Sequence, residues 1–233
     1  MRKHFKPFIQ HILSHALPAR LQSELYLEWR AFLEKLGSGL FPSRRKTIVE
    51  SRRLRNLQVN LGCGNLKREG WCGIDLFSEK ADLRWDVRRG LPLADSSCKI
   101  IFSEHVVEHL SLDELRTLLT DCFRVLAPGG AIRLVTPDLA RFTRAYLEKD
   151  ASFLKNVWSP QDASYCEMLN GLFYMQGHRY LHDLDSLMKE LQNAGFKNVT
   201  GSEYGKSLFA ELAIESSMKH RRLESLYVEA VKS

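Results

Sequence analysis

The chain has 233 residues, which is enough for one α/β domain with a short extension. Its composition, 44% apolar and 27% charged, is typical of an ordinary globular protein. No apolar run approaches the ~20 residues that a membrane-spanning helix needs. The five cysteines are scattered and form no C-x-x-C pair. This spacing argues against a zinc knuckle or a disulfide framework and favours reduced thiols in a cytoplasmic protein.

Positive charge is concentrated near the N-terminus. Residues 1–56 carry a balance of +8 while the whole chain is +6, which leaves residues 57–233 at −2. We therefore divide the chain into a basic helical extension with a linker, 1–56, and a domain, 57–233. In the extension, apolar residues at near-helical spacing predict a helix from Pro18 to Leu36 that Gly37 stops. A turn-rich linker is expected over 37–46.

Several interpretations of the extension stay open. Its helices would pack over the sheet edge or cap a pocket. Alternatively, residues 1–45 would touch an anionic membrane surface, or an acidic carrier, as a basic amphipathic segment. Nucleic acid is not an expected partner, because the basic run lacks interleaved aromatic residues and contains no recognition motif. A secretory signal is not expected either, because a clean apolar stretch and a cleavage site are missing.

Strand and helix patterns alternate through the domain, which predicts an α/β fold. Strands are predicted at 57–61, 72–76, 81–85, 99–102, 131–136, 196–202 and 225–231. Helices are predicted at 111–126, 139–148 and 183–194. The first of these helices opens on a capping box, Ser111-Leu-Asp-Glu114, in which the serine and glutamate side chains serve each other's backbone amides. Residues 150–182 are polar and aromatic, with no clean strand.

The most informative stretch is a glycine turn between the first two strands, Gly62-Cys63-Gly64-Asn65. The second strand ends on Asp75, where a carboxylate can accept both hydroxyls of a ribose. A dinucleotide site has a third glycine and an opening helix, but Lys67 takes the glycine's position and only ten residues separate Gly64 from Asp75. Little helix dipole is then available for a pyrophosphate. A nucleoside without phosphates, such as S-adenosylmethionine, suits the turn better.

Five motifs follow this layout in order: 59–65, 73–76, 85–87 with 90–97, 103–110, and 124–130 with 132–138. In these motifs the chain resembles the class I S-adenosylmethionine-dependent methyltransferases, in the branch called methyltransferase type 11. The resemblance implies a Rossmann-like, seven-stranded, mostly parallel sheet with helices on both faces and its last strand inserted antiparallel. It also implies that S-adenosyl-L-methionine is the cofactor and that the segment of about 150–182 is an insertion shaping the acceptor site.

The resemblance assigns cofactor contacts along these motifs. Asp75 is expected to accept from the ribose and Asp86 from the adenine amine, although Asp82 could exchange roles with Asp86. Cys63 is expected to be a small packing residue. The expected cofactor-binding residues are Asn60, Gly62, Cys63, Gly64, Asp75, Leu76, Asp86, Val87, Ser103, Glu104 and His105.

The catalytic residues are less sharply indicated. His105, after the fourth predicted strand, is the first candidate for a general base, and His178 is the second. Asp138 could bind the acceptor or the base. His109 is expected to be a buried histidine bonded to backbone, and His182 and Asp183 to cap the next helix. Other residues considered for the acceptor side are Tyr165, Glu167 and Asn170.

No metal cluster is expected from the spacing of the histidines, although His178 with Asp138 or Glu104 stays open as an alternative.

The sequence thus predicts a methyltransferase that acts on a hydroxyl or an amine of a small molecule, with a sugar or a glycan or lipid precursor favoured. A module that binds S-adenosylmethionine without turnover is the main alternative. A nicotinamide or nucleotide enzyme on a similar sheet is a weaker one. The sequence leaves the oligomeric state open.

Overall fold

A six-stranded sheet forms the centre of the computed structural model, which describes residues 19–158 and 163–233. Neighbouring strands pair in the order β2-β1-β3-β4-β6-β5. Pairing is parallel up to β4, whereas β6 runs antiparallel to both β4 and β5. The strands are β1 (Leu57–Leu61), β2 (Trp71–Ile74), β3 (Cys98–Glu104), β4 (Leu126–Pro137), β5 (Lys197–Ser202) and β6 (Ser225–Val231). The predicted Rossmann-like fold with an antiparallel last strand is confirmed.

The prediction of seven strands is wrong by one. The strand expected at 81–85 is reduced to a single parallel bridge between Leu83 and Ile74 at the β2 edge. Three backbone hydrogen bonds surround this bridge, from Asp75 to Leu83, from Leu83 to Gly73 and from Trp85 to Asp75. Strand pairing with β2 ends there because the next residues form a short 3₁₀ helix, Val87–Arg89, with Asp86 as its N-cap.

Eight helices lie within the described residues. They are α1 (Ala19–Leu40), α2 (Pro42–Ser51), α3 (Leu112–Val125), α4 (Leu139–Glu148), α5 (Ala151–Val157), α6 (Tyr165–Tyr174), α7 (Leu184–Asn193) and α8 (Lys219–Glu224). The helices α3 and α7 cover one face of the sheet in the main core. The opposite face is covered by the 203–216 segment, through Phe209, Leu212 and Ile214. A third cluster joins α4, α5 and α6.

Two helices begin at the predicted caps. Ser111 and Glu114 form the expected capping box of α3, and Asp183 with Ser186 forms one at α7. On α3 the apolar side chains repeat at helical spacing and are fully buried against the sheet, as Leu115, Leu118 and Cys122 show. No helix of the described residues has the length and apolarity to cross a bilayer.

The predicted extension and insertion contain more helix than expected. The helix α1 does not stop at Gly37 but continues to Leu40, and the expected linker is α2, which starts with Pro42 in its first turn. Gly37 is buried inside the helix, where the Arg44 guanidinium occupies the space that a Cβ would need. The 150–182 segment holds α5 and α6. The helix predicted from Pro18 begins beside the undescribed residues 1–18.

A buried arginine joins the antiparallel half of the sheet. Arg133 of β4 is fully buried and pairs with Glu229 of β6 at 2.6 Å and with Glu215. It also donates to the Ser202 hydroxyl of β5 and to the backbone carbonyl of Glu203. The buried positive charge is therefore neutralised by carboxylates from two separate segments.

Candidate active site

A cavity of about 390 Å³ opens at the C-terminal ends of β1, β2 and β3. After β1 the chain crosses to β2 on one side and later returns to β3 on the other, so the cavity lies where the strand order reverses. In open α/β sheets this is the usual position for a ligand, and the volume is in the range of small-molecule sites. The cavity is lined by Glu24, Leu27, Gly62, Ile74, Asp75, Leu76, Phe77, Trp85, Asp86, Val87, Arg88, His105, Val106, His109, Leu110, Tyr174, Gln176, Gly177, His178 and Arg179.

The glycine turn forms one wall of the cavity. Gly62 has a φ of +67°, and a Cβ at this position would lie 2.1 Å from Cγ2 of Val106. Only glycine fits there, because both the backbone conformation and the neighbouring side chain exclude a Cβ. Residues 62–70 contain turns but no helix. The turn therefore offers bare backbone without the helix N-terminus that would hold a pyrophosphate.

Asp75 fixes the end of β2 to the glycine turn. One carboxylate oxygen accepts from the Gly64 amide at 2.9 Å, and the other accepts from the amides of Phe77 and Ser78, each at 2.7 Å. These bonds hold the carboxylate at the cavity wall. Its predicted role with a ribose remains a prediction, and the backbone bonds add a second role that the sequence did not indicate.

Asp86 lies on the opposite side of the cavity and is paired with an arginine. Its buried carboxylate makes a forked pair with the Arg88 guanidinium at 2.8–3.1 Å and accepts from the Arg88 amide. This hydrogen bonding to Asp86 raises the pKa of Arg88. Asp82, the alternative to Asp86, does not line the cavity; it accepts from the Gly73 amide and pairs with Lys67.

The helix α1 covers the cavity. Glu24 and Leu27 line it, and Glu28 pairs with Arg88 at 2.5 Å. Arg30 donates to the Phe77 carbonyl at 3.1 Å, and the Tyr26 ring stacks on the Phe77 ring with centroids 5.9 Å apart. Of the interpretations left open for the extension, capping of a pocket is therefore the one that α1 adopts in this structure.

His105 is held by hydrogen-bond partners on both sides of its ring. Its Nδ1 lies 3.0 Å from Oε1 of the buried Glu108, and its Nε2 lies 2.9 Å from the Ser225 hydroxyl. Burial opposes ionisation of Glu108, but the hydrogen bond and charge of His105 outweigh it and hold the pKa of the Glu108 carboxyl below its ordinary value. The first candidate base thus has neither ring nitrogen free.

Two further histidines line the cavity and contact each other. The rings of His109 and His178 are 5.1 Å apart, edge to face. Nδ1 of His178 lies 2.6 Å from the Leu172 carbonyl, and Nδ1 of His109 lies 3.3 Å from the Gly177 carbonyl. Burial lowers the pKa of His178. Both rings bond backbone through Nδ1, which leaves Nε2 available to a ligand. The backbone bond of His109 was expected, but the ring is half-buried and not buried as predicted.

Three residues expected to bind the cofactor lie outside the cavity near the glycine turn. Gly64 does not line it, and Asn60 and Cys63 border a smaller depression beside Asp82. Burial, with the nearby Asp75 and Asp82 carboxylates, raises the pKa of Cys63 to about 11. This supports the expectation that Cys63 is a packing residue, because a thiol of this pKa is a poor nucleophile at neutral pH.

Three further predicted residues also lie outside. Ser103 is buried, and the Glu104 carboxylate accepts from the Ser216 amide on the far side of β3. Asp138 caps α4 through the Ala140 amide and pairs with Arg141. The structure therefore brings together Gly62, Asp75, Leu76, Asp86, Val87, His105 and His178, but does not bring Asp138 to the cavity.

Sequence reasoning missed Arg88 and Val106. The signal for Arg88 was present, because it stands two residues after Asp86 in the first turn of a short helix. The approach of Val106 to Gly62 depends on the pairing of β1 with β3 and had no local signal.

Comparison with known proteins finds a local similarity to methyltransferases. Residues 75–134 match the family model "Methyltransferase domain", type 11. A protein of Mycolicibacterium smegmatis (strain ATCC 700084 / mc(2)155), described as a probable S-adenosylmethionine-dependent methyltransferase, is 39% identical over 64 residues. The predicted resemblance to the S-adenosylmethionine-dependent methyltransferases is confirmed. Both matches agree with the predicted class of enzyme and its cofactor.

The match is local. The segment shared with the M. smegmatis protein is 26% of this chain and 24% of that relative, so the alignment spans about a quarter of each. The family match begins at Asp75 and includes Asp86, His105 and His109. The glycine turn and His178 lie outside it.

Solved methyltransferase structures have low overall similarity to the chain. A S-adenosylmethionine-dependent methyltransferase from Archaeoglobus fulgidus is 17% identical, with a TM-score of 0.47, covering 87% of this chain and 94% of that one. One from Mesorhizobium loti is 18% identical, with a TM-score of 0.45 and coverages of 82% and 96%.

Proposed function

We propose that the chain binds S-adenosylmethionine in the cavity and transfers its methyl group to a hydroxyl or amine of a small molecule. A sugar, or a precursor of a glycan or lipid, is the acceptor class that we favour. The observation that carries the proposal is the placement of Gly62, Asp75 and Asp86 around one cavity at the switch point of the sheet. The match of residues 75–134 to a methyltransferase domain supports it.

The residues around the cavity fit the cofactor's adenosine. The carboxylate of Asp75 would accept from the ribose hydroxyls and that of Asp86 from the adenine amine, with Leu76 and Val87 as apolar contacts. The glycine turn lets the amino-acid tail lie against backbone. When bound, the cofactor supplies a methyl group that is already activated by a positively charged sulfur, so the chain's main task is to orient the two reactants.

The acceptor would enter between the 174–179 segment and the end of β3, where Tyr174, Gln176 and the histidines line the cavity. A hydroxyl acceptor benefits from a proton acceptor, which contributes roughly 10²–10⁴-fold to the rate. His178 and His109 are better placed than His105 for this role, because hydrogen bonds occupy both ring nitrogens of His105.

Calorimetry with S-adenosylhomocysteine and with NAD tests the proposal. We expect micromolar binding of S-adenosylhomocysteine and none of NAD; the reverse would overturn the proposal. Incubation with S-adenosylmethionine and a panel of hydroxyl and amine acceptors should then release S-adenosylhomocysteine. Tight binding without release on any acceptor would favour the alternative of a module without turnover.

We also propose that α1 and α2 contact an anionic membrane surface. Large apolar side chains of α1 point outward: Trp29 is 48% exposed, Phe32 51% and Leu40 67%. The following helix adds exposed basic residues such as Arg45 and Lys46. Exposed aromatic residues beside positive charge suit an interface with acidic lipids.

Sedimentation with phosphatidylserine-containing vesicles tests the membrane contact. The chain should pellet with them but not with pure phosphatidylcholine, and Trp29→Ser with Phe32→Ser should reduce pelleting. The exposed Leu147, on α4, gives the control variant Leu147→Ser. Equal recovery in the supernatant with both lipids would end the proposal, as would a lipid-independent dimer that the double substitution breaks.

A further inference from the structure

Two histidines that line the cavity and one buried glutamate form a cluster of metal-ligand type. One carboxylate oxygen of Glu108 and one ring nitrogen each of His109 and His178 lie within 4.8 Å of one another. No metal was expected at these three residues, because His178 is far along the chain from the other two. The cluster is assembled by the fold.

Backbone hydrogen bonds bring the distant histidine to this place. The Glu108 carbonyl accepts from the amides of Arg179 at 2.7 Å and Tyr180 at 3.3 Å. These bonds attach the 177–180 segment to the turn after β3, so His178 is set beside Glu108 and His109. The arrangement therefore does not depend on contacts between the three side chains.

Each member of the cluster also has a partner that orients it. The Leu172 and Gly177 carbonyls accept from Nδ1 of His178 and His109, which makes Nε2 the nitrogen with a lone pair in each neutral ring. The Thr136 hydroxyl donates to Oε2 of Glu108 at 3.1 Å. Metal-binding histidines usually donate their other N–H to a carbonyl or carboxylate in this way, and ligating carboxylates are hydrogen-bonded in turn.

We propose that Glu108, His109 and His178 bind a divalent transition-metal ion in the cavity. Two imidazoles and one carboxylate suit Zn²⁺, Fe²⁺, Co²⁺ or Ni²⁺ better than Mg²⁺ or Ca²⁺, which prefer oxygen ligands. Ligand atoms about 2.0–2.1 Å from one ion are about 3.0–3.5 Å apart, so a separation of 4.8 Å would have to shorten by about 1.3–1.8 Å. Three protein ligands leave at least one position open toward the cavity, which His109 and His178 line.

The role of this ion in the reaction rests on the proposed methyl transfer. With the ion bound, it would replace His109 and His178 as the group that activates the acceptor. In the open position the ion would bind the acceptor's hydroxyl oxygen and favour loss of its proton to water. The resulting oxygen would form a C–O bond with the methyl carbon while the C–S bond breaks and its electron pair stays on sulfur. The acceptor is then one that offers an oxygen ligand, and methylation is directed to oxygen over nitrogen.

Titration of the untagged, chelator-treated chain with Co²⁺ and Zn²⁺ tests the site. We expect one Co²⁺ per chain with visible d–d absorption, displaced by Zn²⁺, and at least tenfold weaker binding in His109→Ala and in His178→Ala. Glu108→Gln keeps the shape of the buried side chain and should weaken binding similarly. His220 lies outside the cavity, and His220→Ala is the control that should bind as the parent chain does.

The metal site and the proposed methyltransferase function can be contradicted independently of each other. Unchanged Co²⁺ affinity in both histidine variants, or no binding by the parent chain, would overturn the metal site, while S-adenosylhomocysteine binding measured on the same samples would still support the cofactor site. Metal binding without S-adenosylhomocysteine binding would still support the metal site but would overturn the proposed function. Thermal unfolding of each variant distinguishes loss of a metal ligand from loss of the fold. Because His109 is only half-buried, His109→Ala should disturb the core least.

Discussion

The Asp75 carboxylate accepts hydrogen bonds from three backbone amides and also lines the cavity. Asp82 provides a matched comparison, because it also accepts from a backbone amide of this region but borders a different depression. We predict that Asp75→Ala weakens S-adenosylhomocysteine binding at least tenfold, or about 1.4 kcal/mol. In calorimetry, Asp82→Ala should stay within about twofold of the parent chain. Equal losses in both variants, or none in Asp75→Ala, would contradict the ribose assignment.

The five cysteines are expected to differ in the reactivity of their thiols. Burial raises the pKa of Cys63 and Cys98 to about 11 and that of Cys72 to about 12, and Cys122 is fully buried. Only Cys166 is exposed. Because the thiolate is the reacting form, iodoacetamide at pH 7–8 should modify Cys166 at least tenfold faster than the other four. Peptide mass spectrometry over time gives the rates, and fast modification of Cys63 would mean that the glycine turn carries a reactive thiol.

At the scale of elements, α1 is the covering of the cavity. Arg30 joins it to the Leu76 and Phe77 carbonyls that follow β2, directly beside Asp75. Losing these hydrogen bonds should destabilise the covered state by ~0.5–1.5 kcal/mol, so Arg30→Ala should release S-adenosylhomocysteine roughly twofold to tenfold faster. Surface plasmon resonance measures this rate. The exposed Lys35 on the same helix gives the control Lys35→Ala, and equal rates in all three chains would refute a covering role for α1.

Local signals in the sequence predicted the elements that local chemistry determines. The capping box at Ser111 starts α3, and the glycine at position 62 and the acid at 75 face one cavity because both follow parallel strands. The extent of α1 was not predictable in this way, since Gly37 continues the helix and packs against Arg44 of the next helix. The prediction of a strand at 81–85 was wrong because Asp86 starts a 3₁₀ helix, which ends the pairing with β2.

The candidate site was predictable where its residues belong to one motif. Asp86 was identified as an acid, but its pairing with Arg88 and with Glu28 of α1 depends on the tertiary fold. The cluster of Glu108, His109 and His178 joins residues 70 positions apart through backbone bonds, for which a sequence pattern has no local signal.

At the scale of the whole molecule, Arg133 holds the antiparallel strands to the parallel part of the sheet. Removing one partner of a buried ion pair leaves uncompensated charge and typically costs ~3–5 kcal/mol. Arg133→Met should therefore lower the free energy of unfolding by about this amount in urea denaturation. Lys99 and Glu211 form an exposed pair at 2.7 Å, so Lys99→Met should change little. Equal stability of Arg133→Met and the parent chain would contradict this account of the sheet.

The central claim is that one cavity at the switch point binds the adenosyl group of a methyl donor. A crystal structure of the chain with S-adenosylhomocysteine tests it most directly. We predict ribose hydroxyls within hydrogen-bond distance of Asp75, the adenine beside Asp86 and Val87, and the sulfur directed toward the histidines. Density for the ligand elsewhere on the chain, with this cavity empty, would contradict the claim.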